Sequence, residues 1–247
     1  MDDQIKILQD WVDNSNSILC LSGKGLSQES GVPDFFQTDE NYYKTYDFPP
    51  EAIWSRGFIE HRVSPFFRFY RERVLAPLVE AEPNAAHIKL AQLENAGKLR
   101  AILTQNMDNL HQEAGNRKVL ELFGSVMRNK CPLCEQRLPA LDILERGGVP
   151  YCPEDMCGGV ISPQVVLYGD PLDHDLVTDG IFQVLSADMV IVAGCSLTDY
   201  PAVAFAHYFY KKKLVLLGDA VSSADVRANL IVRGSVAEIL DQIVVNP

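Results

Sequence analysis

Residues 17–36 read SILCLSGKGLSQESGVPDFF, and the fold follows from how that stretch changes character. Ile18, Leu19, Cys20 and Leu21 form an apolar run without polar alternation, as in a strand buried on both faces of a parallel sheet. The run ends at Gly23 and Gly25, with Gly31, Pro33 and Asp34 beyond. That pattern suits a strand delivering its backbone into a loop for a phosphate-bearing ligand, where glycine permits close approach. The dinucleotide fingerprint G-x-G-x-x-G is incomplete, because Gln28 occupies the third glycine position. A bare G-x-G after a strand is also a common turn.

Upstream, Ile5, Leu8, Trp11 and Val12 fall at helical spacing and predict a surface helix over 2–13 that leads into the strand. Downstream, residues 41–82 are rich in aromatics, among them Tyr42, Trp54, Phe66, Phe67 and Tyr70. They read as the packing of a small helical lobe, or as a lid. Pro83-Asn84 opens a helix that Gly97 ends. Residues 100–104 (RAILT) give a second strand running into Gln105, Asn106, Met107, Asp108 and Asn109. Doubly wound sheets place ligand contacts there, just past a strand's carboxyl end; an Asx-rich turn reads equally well. Further strands are expected at 119–122, 165–168, 189–193 and 214–217, with helices at 176–186 and 203–210. Strands alternating with helices specify an open, doubly wound parallel sheet covered on both faces.

At 247 residues the chain suits one large domain, or one with a smaller insert. A net charge of −11 opposes binding to a nucleic-acid backbone, whose affinity comes mainly from displaced counterions. The basic run Lys211, Lys212, Lys213 reads as a helix C-terminal charge set. No apolar run is long enough to cross a bilayer. The N-terminal stretch lacks a basic n-region and a cleavage site, so a cytoplasmic protein is expected. The clearest chemical signal is Cys131-x-x-Cys134, a gap of 17 residues, then Cys152-x-x-x-x-Cys157. Two close pairs at that separation match one structural zinc ion held by four thiolates, with no position left open for chemistry. Cys20 and Cys195 lie in apolar strand contexts and are expected to be buried and inert.

The motifs SGKGLSQESGVPDF, TQNMDNLHQEAG, VLELFGS, PQVVLYGD and AGCSLTDYPA, with the two cysteine pairs among them, stand in sirtuin order and spacing. By these the chain resembles the sirtuins, NAD-dependent protein deacylases, over almost its whole length. The resemblance implies a Rossmann-type NAD-binding domain (1–38, 84–125 and 161–247) and a smaller domain made of a helical insert (39–83) and a zinc-binding module (126–160). It places NAD, or ADP-ribose, in the cleft between them. It implies that an acyl-lysine carbonyl oxygen attacks the nicotinamide ribose, nicotinamide leaves, and a histidine then acts as general base on the ribose hydroxyls.

Carried onto this chain, the resemblance assigns Gly23, Lys24, Gly25 and Ser27 to the diphosphate and ribose. Asp34, Phe35 and Phe36 fall on the nicotinamide side of the loop. Asn106 and Asp108 would hold the nicotinamide ribose and carboxamide, with Gln105 beside them. Gly194, Cys195 and Ser196 form the second phosphate loop, and Gly218 and Asp219 follow the late strand. Val165, Val166, Tyr168 and Gly169 would pair with a substrate peptide as an added strand. The chain also departs from the family: Phe123 stands where the general-base histidine is expected, Phe36 replaces the loop arginine, and Lys24 replaces an alanine. Lys24 either bridges to a phosphate, to Asp34 or to Asp108, or fills the nicotinamide site. Phenylalanine accepts no proton, so impaired or altered catalysis is the first expectation. The alternatives are an active NAD-dependent protein-lysine deacylase, or a protein ADP-ribosyltransferase or NAD glycohydrolase. An acyl-lysine protein or peptide and a nucleotide are the expected partners, with no nucleic acid and no membrane.

Overall fold

The structure, a computed structural model, describes residues 2–198, 200–219 and 227–245. The chain divides into two compact units, the first formed by Met1–Gly31, Glu82–Leu122 and Asp173–Pro247. Its centre is a six-stranded sheet of β1 (Ile18–Ser22), β2 (Leu99–Thr104), β3 (Val119–Glu121), β7 (Met189–Ala193), β8 (Leu214–Leu217) and β9 (Leu230–Val232), ordered β3-β2-β1-β7-β8-β9. Every pairing is parallel. Strand order runs outward in both directions from the β1–β7 pair. Such a reversal opens a crevice at the strands' carboxyl ends, where this class of sheet takes its ligands.

Successive β1 residues face opposite sides of the sheet, and each side has its own helices. Ile18 and Cys20 pack with Leu8 and Val12 of the helix Asp2–Asp13, Leu90 and Leu93 of Ala85–Asn95, and Ile239 of Val236–Asp241. Leu19 and Leu21 pack with Val184 of His174–Ser186 and Phe205 of Ala202–Ala206. An element buried on both faces has no use for polar alternation, which explains the unbroken apolar runs of β1, β7 and β8.

Several helix ends are closed by side chains, one local and the others distant. Asn84 caps Ala85–Asn95, accepting from the amides of Ala86 and His87. Lys98 Nζ donates to the carbonyls of Val12 and Asp13, and Lys213 Nζ to those of Trp11 and Asn14. Lys211 Nζ donates to Ala187 O, just past His174–Ser186. The basic run thus serves the carboxyl ends of two other helices, while the helix expected at 203–210 covers only Ala202–Ala206. Glu29 closes the amino end of Val236–Asp241: Oε1 accepts Val236 N–H, and Oε2 accepts Ala237 N–H and the Ser235 hydroxyl, each at 2.8 Å. None of the described helices is long and apolar enough to cross a membrane.

The second unit comprises Val32–Ala81 and Phe123–Leu172. Its helical part joins Val63–Phe69 directly to a π-helical turn, Tyr70–Leu75. The aromatic stretch packs on itself there: Trp54 stacks on Phe66 at 5.8 Å and Phe66 on Tyr70 at 5.9 Å between centroids. The buried Tyr70 hydroxyl donates to Val126 O at 2.7 Å. The unit also holds an antiparallel sheet ordered β5-β4-β6, of β4 (Gly124–Lys130), β5 (Arg137–Pro139) and β6 (Ser162–Val165).

The strand expected at 165–168 therefore does not join the parallel sheet. Val165 pairs antiparallel with Gly124, Val166 N–H donates to Phe123 O at 2.9 Å, and Asp170 Oδ2 accepts Leu167 N–H, turning the chain. Residues 32–38, 123–125 and 161–172, expected with the large domain, accordingly lie in the second unit.

Candidate functional site

In the first unit, loops from β1, β2, β7 and β8 gather at the carboxyl ends of the strands. The β1 and β7 loops meet backbone to backbone: Gly23 N–H donates to Ala193 O at 3.0 Å and Gly25 N–H to Gly194 O at 2.8 Å. A Cβ on Gly23 would fall 2.5 Å from Cys195 Cβ, and one on Gly25 would fall 2.8 Å from Gly194 O. These glycines are thus required by the contact between two protein loops. Cys195 is buried beside them, and Cys20 is buried in β1 with its thiol pushed up to about 12 by burial, as expected of inert cysteines.

Ser27, Asn106 and Asp108 form one hydrogen-bonded group, at 4%, 8% and 6% exposure. Asn106 Nδ2 donates to Gly23 O at 3.0 Å and to Ser27 Oγ at 2.7 Å. Ser27 Oγ donates to Asp108 Oδ2 at 2.5 Å, and Asp108 Oδ1 accepts Leu110 N–H at 3.0 Å, starting the helix Leu110–Glu113. Asn109, with φ at 75°, makes the turn between them. Burial raises the Asp108 carboxyl, against the lowering effect of the Ser27 and Leu110 hydrogen bonds. Gln105 holds Ser22 O through its backbone N–H at 3.0 Å, and its Nε2 is buried without a hydrogen-bond partner among the described residues. Thr104 was not picked out from the sequence; its Oγ1 accepts Asn106 N–H at 3.0 Å and sets the start of this loop. Ser196 Oγ lies 2.8 Å from Thr198 Oγ1. Gly218 N–H donates to Val232 O at 3.1 Å, and Asp219 is exposed. Asp199, within the AGCSLTDYPA motif, lies outside the described residues.

In the second unit, Asp34 Oδ1 accepts Phe36 N–H at 3.1 Å. Phe35 is half-buried beside it, and the Phe36 ring stands edge-on to Trp54 at 6.3 Å and to Tyr168 at 6.0 Å. Phe123 is half-buried at the entry to β4. Of the segment expected to pair with a peptide, Tyr168 N–H already donates to Trp54 O and Tyr168 O accepts Arg56 N–H. Arg56 also grips Asp170 with two hydrogen bonds, Nε to Oδ1 at 3.0 Å and Nη2 to Oδ2 at 2.6 Å. Gly169 adopts φ of 96° between them.

The Sγ atoms of Cys131, Cys134, Cys152 and Cys157 all lie within 4.8 Å of one another, with three separations of 3.5 Å. A tetrahedron with Zn–S bonds of about 2.3 Å has edges of roughly 3.8 Å, so the thiols fit one zinc ion.

The Sir2 family model matches residues 23–201, which carry all of these loops except the one after β8. The chain belongs to the Sir2 family, the sirtuins. This sirtuin is 41% identical over 247 residues to an NAD-dependent protein deacetylase of Clostridium perfringens, spanning 99% of this chain and all of that one. It is 37% identical to the NAD-dependent protein deacetylase of Thermotoga maritima, over 81% of this chain and 79% of that one. A structure solved in a study of sirtuin substrate affinity superposes with a TM-score of 0.86 at 34% identity, over 95% of this chain and 96% of that one. A Sir2 histidine-to-tyrosine variant solved with a p53 peptide and NAD superposes with a TM-score of 0.81 at 32% identity, over 97% and 96%. Of the functions expected from the sequence, the relatives' names favour the active deacetylase over a member with impaired catalysis.

Proposed function

We propose that this sirtuin binds NAD and an acyl-lysine segment of a protein, and carries out the deacylation for which its relatives are named at a rate limited by Phe123. The observation that carries the reading is the Ser27–Asn106–Asp108 group, three buried polar side chains committed to one hydrogen-bonded arrangement at the switch point of the sheet. Gln105 Nε2, buried and without a hydrogen-bond partner among the described residues, is a donor left available to a ligand, and the residues present fit a nucleotide on that ground.

Bound NAD supplies an electrophilic ribose carbon and a nicotinamide leaving group. Asn106 and Ser27, each fixed by the other, hold a ribose in one orientation, and Gln105 and Asp108 present a donor and an acceptor to a carboxamide. Gly194, Cys195 and Ser196 offer a second loop for phosphate, and Asp219 an acceptor for a ribose hydroxyl. Lys24 supplies the loop with the cation that Phe36 no longer provides. Val165, Val166, Tyr168 and Gly169 take the peptide through those backbone groups not already engaged within the second unit. Cys131, Cys134, Cys152 and Cys157 hold a zinc ion that cross-links two short hairpins and does no chemistry.

Phe123 cannot accept a proton from a ribose hydroxyl, and losing a positioned base costs about 10²- to 10⁴-fold in rate. That substitution favours a second reading, in which nucleotide and peptide are bound without efficient turnover, or ADP-ribose passes to another acceptor. Incubation with NAD and an acetyl-lysine peptide separates the two. Release of nicotinamide with deacetylated peptide in equal amounts, slowly, is expected. Nicotinamide alone means hydrolysis or ADP-ribosyl transfer, and binding without either product means a non-catalytic module.

A further inference from the structure

Beneath the glycine loop, the first unit buries Ser22, His87, His111 and Asn116 side by side, with the half-buried Asn84 against His87. Ser22 and His111 are 1% exposed, His87 is not exposed at all, and Asn116 is 4% exposed. The two imidazole centroids are 4.8 Å apart. His111 Nε2 meets Ser22 Oγ at 2.8 Å. Asn84 N–H donates to His87 Nδ1 at 3.3 Å. Asn84 Oδ1 lies 3.0 Å from that nitrogen but already accepts two backbone amides, so we assign the His87 ring proton to Nε2. Asn116 Nδ2 donates to the carbonyls of both His87 and His111. The remaining polar atom of each of these three side chains, His87 Nε2, His111 Nδ1 and Asn116 Oδ1, is buried and meets no hydrogen-bonding group among the described residues. Burial holds both imidazoles neutral, His87 down to about 4 and His111 down to about 3.

With the His111 proton on Nε2, facing Ser22, the cluster is left with one donor and two acceptors, which match the hydrogen-bonding capacity of one water molecule. We propose that His87 Nε2, His111 Nδ1 and Asn116 Oδ1 bind an internal water, and that this hydrated cluster makes His111 a positioning residue for the glycine loop. The water accepts from His87 Nε2 and donates to Asn116 Oδ1 and His111 Nδ1. His111 Nε2–H then donates to Ser22 Oγ. Ser22 is the last residue of β1; its carbonyl accepts Gln105 N–H, and the carbonyl of Gly23 beside it accepts Asn106 Nδ2. Fixing the Ser22 side chain therefore fixes the point from which both ligand loops depart. The positioning role rests on the nucleotide reading given above; the water does not.

A high-resolution crystal structure of the parent tests the water: density within hydrogen-bonding distance of at least two of the three atoms is expected, and a dry cluster overturns it. ADP-ribose titration of the parent, His111→Ala, His111→Gln and Ser22→Ala, with thermal unfolding of each, tests the positioning. Losing one buried hydrogen bond to the loop should weaken binding about 10-fold in both alanine variants. His111→Gln, whose amide can reach Ser22 Oγ, should recover most of that loss even where its melting temperature stays low. Parent-like affinity in both alanine variants, or equal loss in His111→Gln and His111→Ala, overturns the positioning. Should His111→Ala fail to fold, Ser22→Ala, which removes only a hydroxyl, decides the matter. A parent that binds no ADP-ribose removes the nucleotide reading and the positioning together, while the density still decides the water.

Discussion

Phe123 ties its backbone to Val166, and in the proposed reaction its apolar ring stands where a proton acceptor is needed. Restoring the base with Phe123→His should raise deacetylation of an acetyl-lysine peptide by about 10²-fold, the lower end of the range a general base contributes. It should still fall short of the further variant that adds Lys24→Ala and Phe36→Arg. Equal rates in the two variants, read as deacetylated peptide per unit time, would show that the loop substitutions are harmless. His87 and His111 make a second prediction at this scale. Folding lowers their pKa values from 6.5 to about 4 and about 3, by burial and, for His111, the neighbouring His87. The unfolded chain therefore binds more protons below pH 6.5. Stability from the neutral pair is complete above pH 6.5 and is lost as pH falls towards 4, by up to about 1.4 kcal/mol per pH unit for each histidine. Urea midpoints across that window should show the slope, and His87→Gln should flatten it.

The β1 and β7 loops behave as one element because their backbones touch. Gly25→Ala would drive a methyl group to 2.8 Å from Gly194 O; a cost of about 2 kcal/mol in urea unfolding is expected from such overpacking. Glu29 closes a helix from over two hundred residues away in sequence. Glu29→Ala should cost about 1 kcal/mol, the usual worth of a helix cap, and speed amide exchange over Val236–Asp241. Much at this scale was legible in advance. The runs at Ile18, Met189 and Leu214 announce strands buried on both faces, and all three lie in the parallel sheet. The run at 165–168 misleads because apolar content does not state direction; its antiparallel place depends on hydrogen bonds to Phe123 and Gly124, over forty residues earlier. Leu230–Val232, at three residues, is too short for periodicity to register. Asn106 and Asp108 could be found from their position past a strand. The Ser22–His111 contact could not, since its members are 89 residues apart.

At the scale of the molecule, the two units draw stability from different sources. The first has two apolar layers against one sheet. In the second, the loops beside three short strands carry cysteine pairs that fit a metal, and Cys134 is exposed. Chelation of zinc should therefore expose β4, β5 and β6 to amide exchange while the parallel sheet keeps its protection. Loss of protection in both units at once would mean that they unfold as a single cooperative body.

The glycine contact also sets which changes the loop can tolerate. Position 23 faces the Cys195 side chain and position 25 the Gly194 backbone, and neither admits a side chain, whereas Lys24 between them is exposed. Saturation mutagenesis should find a closed–open–closed pattern over these three residues. Of the three, only position 24 can change the chemistry of this rim, and in this chain it carries a cation.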